Sequence, residues 1–144
     1  MVKTIIVGLG NPILGDDGVG WRVADTFARQ NADPAVAVES LALGGLSLME
    51  RLIGYERVII VDAIQTADGR IGDVYQFDLA DLPDLSTGHT TAVHDTSLQT
   101  ALQLGRQLGA DLPTEVHVVA IEAEQVYEFS EELTPAVETA VPVA

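Results

Sequence analysis

The sequence predicts a layered α/β domain with a mainly parallel sheet. Residues 4–7 and 57–63 form continuous apolar, β-branched runs, which are typical of central strands covered on both faces. Helical periodicity fills the stretches between these and the weaker strand patterns. Because strands alternate with helices along the chain, the strands are expected to lie parallel, with helices packed against the sheet.

Five strands are predicted in chain order. The first covers residues 4–7 and stops at Gly8, and the third covers residues 57–63 and carries a carboxylate, Asp62, close to its end. Three weaker strands are expected at residues 35–40, 73–77 and 115–121.

Helices are predicted between these strands from apolar residues at spacings of three and four. The first follows the Gly-rich turn, the second ends at Gly54, the third ends at Gly109, and the last begins at Thr134-Pro135 and stops at Pro142. The apolar stripes are Val19, Val23 and Phe27; Leu46, Met49 and Leu52 or Ile53; and Leu98, Ala101, Gly105 and Leu108. Residues 78–91 are polar and irregular, and are expected to form a surface loop of functional importance.

Composition narrows the class of protein. The 144 residues suit one domain, residues 1–144, and the net charge of −15 argues against binding to nucleic acid or anionic lipid. The absence of cysteine excludes disulfides, thiolate metal sites and cysteine nucleophiles. No apolar run approaches the ~20 residues of a membrane span, and no export signal is recognised at the N-terminus. A cytoplasmic protein without membrane insertion is expected.

Three places could carry chemistry, because ligands of parallel sheets bind beyond the carboxyl ends of the strands. They are the Gly-rich turn of residues 8–20, Asp62 at the end of its apolar run, and the predicted helix start at His94. The turn does not match a dinucleotide fingerprint, since Ile13 stands where a third glycine belongs. Asp16 and Asp17 would also repel a pyrophosphate.

Asp17, Asp62 and His94 make a plausible set of metal ligands. Two carboxylates and one imidazole suit a borderline divalent ion such as nickel or zinc, and three protein ligands leave coordination positions open for catalysis. Each residue also has an ordinary interpretation: Asp16 or Asp17 as a helix cap, His94 as a solvated first-turn residue, and Asp62 as an acceptor of backbone hydrogen bonds.

Four segments resemble the hydrogenase maturation protease family, in the same order, from residue 5 to residue 142. They are GLGNPILGDDGVG near the N-terminus, VDA at the end of the third strand, AVHDTSL at a helix start, and ELTPAVETAVP near the C-terminus. Members of this family trim a C-terminal extension from the precursor of the nickel-iron hydrogenase large subunit. Leu43, before Gly44 and Gly45, stands where the family often has a polar residue.

The resemblance implies a three-layer α/β/α sandwich with a twisted, mostly parallel five-stranded sheet of the phosphorylase/hydrolase-like kind. It implies a peptidase, metal-dependent or aspartic-type, whose catalytic and metal-contacting residues fall on Asp17, Asp62 and His94. The metal would be nickel supplied by the substrate, although zinc or cadmium could occupy the same site. The implied partner is the large-subunit precursor, and a monomer is expected. The alternative is a non-catalytic metal- or partner-binding accessory protein in metallocentre assembly.

Other candidates are assigned structural roles. His117 is expected to be a sheet or core residue, His89 a solvated loop residue, and Trp21 a packing residue. The acidic stretch of residues 122–132 is expected to form a solvated face, with attraction of a basic partner tail as the alternative.

Overall fold

The computed structural model describes residues 3–81, 93–124, 126 and 128–144, excepting the side chains of residues 93–97. The strands are β1 Thr4–Leu9, β2 Val36–Leu41, β3 Arg57–Ile64, β4 Val74–Asp78 and β5 Glu115–Glu122. The helices are α1 Val19–Gln30, α2 Gly45–Arg51, α3 Val93–Gln107 and α4 Pro135–Ala140, and short 3-10 turns cover Gly15–Gly18 and Leu79–Asp81. All five predicted strands and the four predicted helices are therefore present.

The described strands form one sheet in the order β2-β1-β3-β5-β4. The first four strands in this order pair in parallel, and β4 pairs antiparallel with β5. β3 lies in the middle, with β1 on one side and β5 on the other. The prediction of a mostly parallel five-stranded sheet is confirmed.

Helices cover both faces of the sheet, which confirms the three-layer α/β/α architecture. α2 and α3 pack on one face, where Leu48 and Leu98 join Ile60 and Val118 in an apolar core. α1 and α4 pack on the other face, around Ile6 and Val61. Alternation along β3 sends Ile60, Asp62 and Ile64 toward the α2/α3 face. Asp62 and α3 therefore lie on the same side of the sheet.

Two glycines allow the first loop to pack closely on the sheet. Gly10 has φ +134°, and a Cβ there would lie 1.9 Å from the carbonyl oxygen of Asp17. A Cβ at Gly20 would lie 2.3 Å from the carbonyl oxygen of Val61 and 2.5 Å from that of Leu9. The start of α1 thus rests directly on the carboxyl ends of β1 and β3.

The structure describes only the beginning of the predicted surface loop of residues 78–91. Within residues 78–91, Asp78 ends β4 and Leu79–Asp81 is a 3-10 turn, so this stretch begins in regular structure. The rest of that loop, with His89, lies outside the described residues.

Among the helices that the structure describes, none has the length and apolar character that crossing a membrane requires.

Candidate active site at the carboxyl edge of the sheet

Asp62 is more buried than Asp17, the other predicted site residue whose side chain the structure describes. It is 2% exposed, and its Oδ1 accepts a hydrogen bond of 2.9 Å from the amide of Ala63. It lies near the carboxyl end of β3, one residue beyond the last pair with β1 and opposite Ala120 of β5. A carboxylate is costly to bury, so its presence at a strand end indicates a use for the charge.

Asp17 lies in the 3-10 turn that joins β1 to α1. Its Oδ2 accepts a hydrogen bond of 2.8 Å from the amide of Asn11, which closes the loop on itself. The side chain is partly exposed, whereas the neighbouring Asp16 is fully buried. Because Gly20 contacts Val61, the turn that carries Asp17 reaches the same sheet edge as Asp62.

His94 is the second residue of α3. α3 ends at Gln107 and a short connection leads into β5, so the helix runs antiparallel to that strand and begins near the carboxyl edge of the sheet. The structure therefore brings the backbones of Asp17, Asp62 and His94 to one edge. The side chain of His94 lies outside the described part, and binding of a metal by the three residues stays a prediction. Among the side chains that are described, no three histidines and carboxylates form a group that could hold a metal ion.

Asp16 has a structural role that the sequence did not reveal. Its carboxylate accepts hydrogen bonds from the amides of Glu124, at 2.9 Å, and Thr134, at 2.7 Å, and from the hydroxyl of Thr134 at 2.8 Å. Thr134 occupies the N-cap position of α4, as predicted, yet its hydroxyl binds Asp16 and does not cap its own helix. Of the adjacent aspartates, Asp16 thus fixes the C-terminal segment and Asp17 is left at the edge.

Glu122 corrects the expectation of a solvated acidic face. It is the last residue of β5, is 2% exposed, and projects to the same side of the sheet as Asp62. Glu124, Glu128, Glu131 and Glu132 are exposed, as expected for the rest of the stretch. The signal for Glu122 was present in the sequence, because an apolar run, VVAI, ends there at a carboxylate just as VIIV ends at Asp62.

Tyr75, on β4, is one of the hydrogen-bond donors to Glu122, at 3.0 Å from hydroxyl to Oε1. Burial raises the pKa of the Tyr75 hydroxyl, and the carboxylate of Glu122 raises it further, because a phenolate would face a negative charge. The hydroxyl is therefore a donor throughout the neutral range.

His117 was expected to be a sheet or core residue; it is a sheet residue but not a core residue. It lies in β5, but its side chain is 43% exposed and sits 2.7 Å from Asp78, measured from Nδ1 to Oδ1. Glu115 lies 3.5 Å from the other ring nitrogen and forms an ion pair of 2.8 Å with Arg57, whose hydrogen bond lowers the pKa of the Glu115 carboxyl. The side chain is exposed because α4 spans only six residues and does not extend over this end of the sheet face.

A cavity of about 500 Å³ occupies that uncovered part of the α1/α4 face. Its walls are mainly apolar, with Phe27, Ile59 and Val119 among them, and His117 and Asp78 lie at one end. Asp62 does not line it, since β3 sends that side chain to the opposite face.

Trp21 lies at the other end of the sheet and is partly buried, as expected of a packing residue. Its Nε1 donates a hydrogen bond to the carbonyl oxygen of Leu41 at 3.0 Å.

Comparison with known proteins agrees with this architecture. The HycI profile, described as hydrogenase maturation protease, matches residues 21–144, a range that includes Asp62 and His94 and begins just after Asp17. Protein HydD of Wolinella succinogenes is 29% identical over 94 residues, or 62% of this chain. The chain spans little more than half the length of the curated relatives it matches, 53% of one and 57% of the other.

Two solved structures share the fold over nearly the whole chain. The hydrogenase maturating endopeptidase HybD of Escherichia coli superposes with a TM-score of 0.82 at 24% identity, covering 99% of this chain and 86% of that one. The [NiFe] hydrogenase maturation protease HybD of Thermococcus kodakarensis gives 0.78 at 23% identity, covering 99% and 93%. Because the family profile also spans most of the sequence, the chain belongs to the hydrogenase maturation protease family.

Proposed function

We propose that this protein is an endopeptidase that removes the C-terminal extension of the nickel-iron hydrogenase large-subunit precursor after nickel has been inserted. The observation that supports this most is Asp62, a carboxylate 2% exposed on the central strand, with the loop of Asp17 packed beside it. Membership of the hydrogenase maturation protease family supports a hydrogenase precursor as the class of substrate.

In this proposal, Asp17, Asp62 and His94 hold the nickel that the precursor carries. The two carboxylates supply negative charge, and the imidazole supplies a nitrogen ligand. A divalent ion held in this way can polarise a carbonyl group or lower the pKa of a bound water. Cleavage would then depend on a loaded metal centre, and the enzyme would act as a checkpoint on assembly, as a monomer in the cytoplasm.

The test is incubation of the protein with nickel-loaded and nickel-free precursor, followed by mass spectrometry of the precursor. We expect a loss of mass that matches the C-terminal extension with the loaded precursor and no change with the nickel-free one. Equal cleavage of both would contradict the role of nickel. Stable binding of the loaded precursor without cleavage would instead support the accessory-protein alternative.

Zinc and cadmium provide a second arm of the experiment, because both suit the same ligand types. Added to the isolated protein, either ion should bind and compete with processing. The control variant is Asp25→Asn, which removes a carboxylate charge away from the site. Asp25 is an exposed residue of α1 that pairs only with Arg29 in the described contacts. Asp25→Asn should keep full activity and the same inhibition by zinc.

A further inference from the structure

Glu122 stands beside the proposed site without belonging to it. In the pairing of β3 with β5, Asp62 lies opposite Ala120 and Ile64 lies opposite Glu122, so Glu122 is displaced by one strand and two residues from Asp62. Standard strand spacing puts the two Cα atoms ~8 Å apart. Both side chains project to the α2/α3 face, on which α3 and its first turn also lie.

The side chain of Glu122 binds the loop of residues 65–73, which connects β3 to β4. Its Oε2 accepts a hydrogen bond of 2.8 Å from the amide of Thr66, and its Oε1 accepts one of 2.5 Å from the hydroxyl of Thr66. The hydroxyl of Tyr75 adds a third donor at 3.0 Å. All three of these donors are neutral, so within the described residues the carboxylate is held by dipoles.

The rest of the loop is shaped around the same residue. A Cβ at Gly69 would lie 1.7 Å from Oε1 of Glu122, so the loop backbone passes directly over the carboxylate. The backbone of Glu122 holds the far end of the loop, since its carbonyl accepts from Gly72 and its amide donates to Asp73, both at 2.8 Å. One residue of β5 thus fixes the start, the middle and the end of this loop.

The start of the loop matters most for the site, because Thr66 is only four residues beyond Asp62 and two beyond the end of β3. A displacement of Thr66 would pass directly into the strand end that carries the buried carboxylate. Reactions that depend on placement lose about a hundredfold in rate for a shift near 1 Å.

We infer that Glu122 is a positioning residue for the carboxylate of Asp62. It holds Thr66, and through Thr66 the end of β3, in the place where Asp62 meets the metal centre of the substrate. The inference rests on the proposed function, and it assigns no contact between Glu122 and the substrate.

The test uses Thr66, where the hydroxyl can be removed with little change of shape. Thr66→Val removes the hydroxyl donor and keeps the backbone amide, whereas Thr66→Ser keeps the hydroxyl and removes the methyl group. We expect Thr66→Val to lower kcat for nickel-loaded precursor about tenfold or more, with KM changed less than about twofold. Thr66→Ser, which keeps the hydroxyl, should retain most of the wild-type kcat. Thr139→Val is the matched control, since in the described contacts the Thr139 hydroxyl donates to the carbonyl of Pro135 on the exposed side of α4.

A second pair of variants covers the case in which Thr66→Val folds poorly. Tyr75→Phe removes another donor to Glu122 and should also lower kcat, by less than Thr66→Val. Tyr55→Phe is its control, because Tyr55 precedes β3 at the opposite, amino edge of the sheet, near Lys3. Amide hydrogen exchange of residues 65–73 should speed up in Thr66→Val and stay unchanged in Thr139→Val.

The outcomes separate this inference from the proposed function. If wild-type protein cleaves loaded precursor and Thr66→Val cleaves at the same rate with a loosened loop, the positioning role is wrong and the proposed function stands. Equal losses of kcat in Thr66→Val and Thr66→Ser would also overturn the positioning role, because the hydroxyl would then not be the cause. If wild-type protein leaves loaded precursor intact, the proposed function fails, and the inference fails with it.

Discussion

Buried carboxylates with different tasks meet at the carboxyl edge of this sheet. Asp16 and Glu122 receive hydrogen bonds from amides and hydroxyls of distant segments and so hold the fold together. Asp62 accepts one from the amide of Ala63 and lies near the end of the central strand. At the scale of single residues, hydrogen bonds to distant segments identify a structural role for Asp16 and Glu122, whereas Asp62 is assigned to the proposed site by its place at the strand end.

Asp62→Asn tests the functional role. The substitution keeps the volume and the ability to accept a hydrogen bond but removes the charge that would hold a divalent ion. We expect a free energy of unfolding close to that of wild type and loss of nickel-dependent processing. Denaturant titration and the precursor assay measure the two quantities separately.

Ile60→Ala, two residues earlier on β3, is the matched comparison. Ile60 is fully buried, so its truncation should lower the free energy of unfolding by about 2–5 kcal/mol through lost burial and a cavity. The folded fraction should still process precursor at nearly the wild-type rate. Wild-type processing by Asp62→Asn would show that the site has been placed on the wrong residue.

His117→Ala should behave as a surface substitution. The side chain is 43% exposed and its ion pairs with Asp78 and Glu115 face solvent, and such pairs contribute about 0–1 kcal/mol. We expect a small change in melting temperature and unchanged processing. A loss of several kcal/mol on thermal unfolding would restore the core interpretation, and loss of activity in a folded protein would move the site to the amino edge.

At the scale of elements, the fold was more predictable than the contacts between distant segments. β1 and β3 are covered on both faces, which produces the continuous apolar runs that the sequence displays. One partner of Asp16 is Thr134, 118 positions away, and no local pattern encodes a contact of that separation. The exposure of His117 depends on how far α4 extends along the sheet, which is again a property of the assembled layers.

Asp16→Ala tests the attachment of α4. The change removes the acceptor of two partly buried hydrogen bonds, from the amides of Glu124 and Thr134, and each lost hydrogen bond costs about 0.5–1.5 kcal/mol. We expect a lower melting temperature and faster amide exchange in α4 than in β3. Asp25→Ala, at an exposed ion pair of α1, is the control and should alter neither. Unchanged exchange in α4 would show that its apolar contacts alone fix it.

Tyr75 makes the attachment of β4 sensitive to alkaline pH. In the unfolded chain its hydroxyl ionises near pH 10.0, whereas burial and Glu122 raise the pKa in the folded state. The folded protein therefore binds more protons above pH 10, and its free energy of unfolding should fall as pH rises through the folded pKa. Tyr75→Phe should flatten this decline in urea titrations between pH 9 and 11, with Tyr55→Phe as the control that leaves the contact of Tyr75 with Glu122 in place. Parallel curves for Tyr75→Phe and wild type would contradict the assignment.

At the scale of the whole molecule, charge sets a general condition on stability. The net charge is −15, and the described ion pairs of arginine with carboxylates, such as Arg22 with Glu138, are solvent-exposed. Repulsion between carboxylates should therefore outweigh attraction, and salt screens it over ~10 Å at 0.1 M. We expect the melting temperature to rise as potassium chloride increases from low to physiological concentration. Glu131→Lys, at an exposed position, should reduce that rise, and a fall in melting temperature with salt would show that ion pairs dominate.

The central place of β3 has a consequence for how a metal centre would be gripped. β3 pairs with β5 along its whole length and with β1 over residues 57–61, so moving the end that carries Asp62 would break its pairs with β5. The sheet therefore holds the backbone of Asp62 in place. The turn of Asp17 and the first turn of α3 are attached to the sheet from outside. In a site built this way, the strand that carries Asp62 would stay in place while the other two segments adjust. Asp62 would then set the position at which the metal centre of the substrate binds.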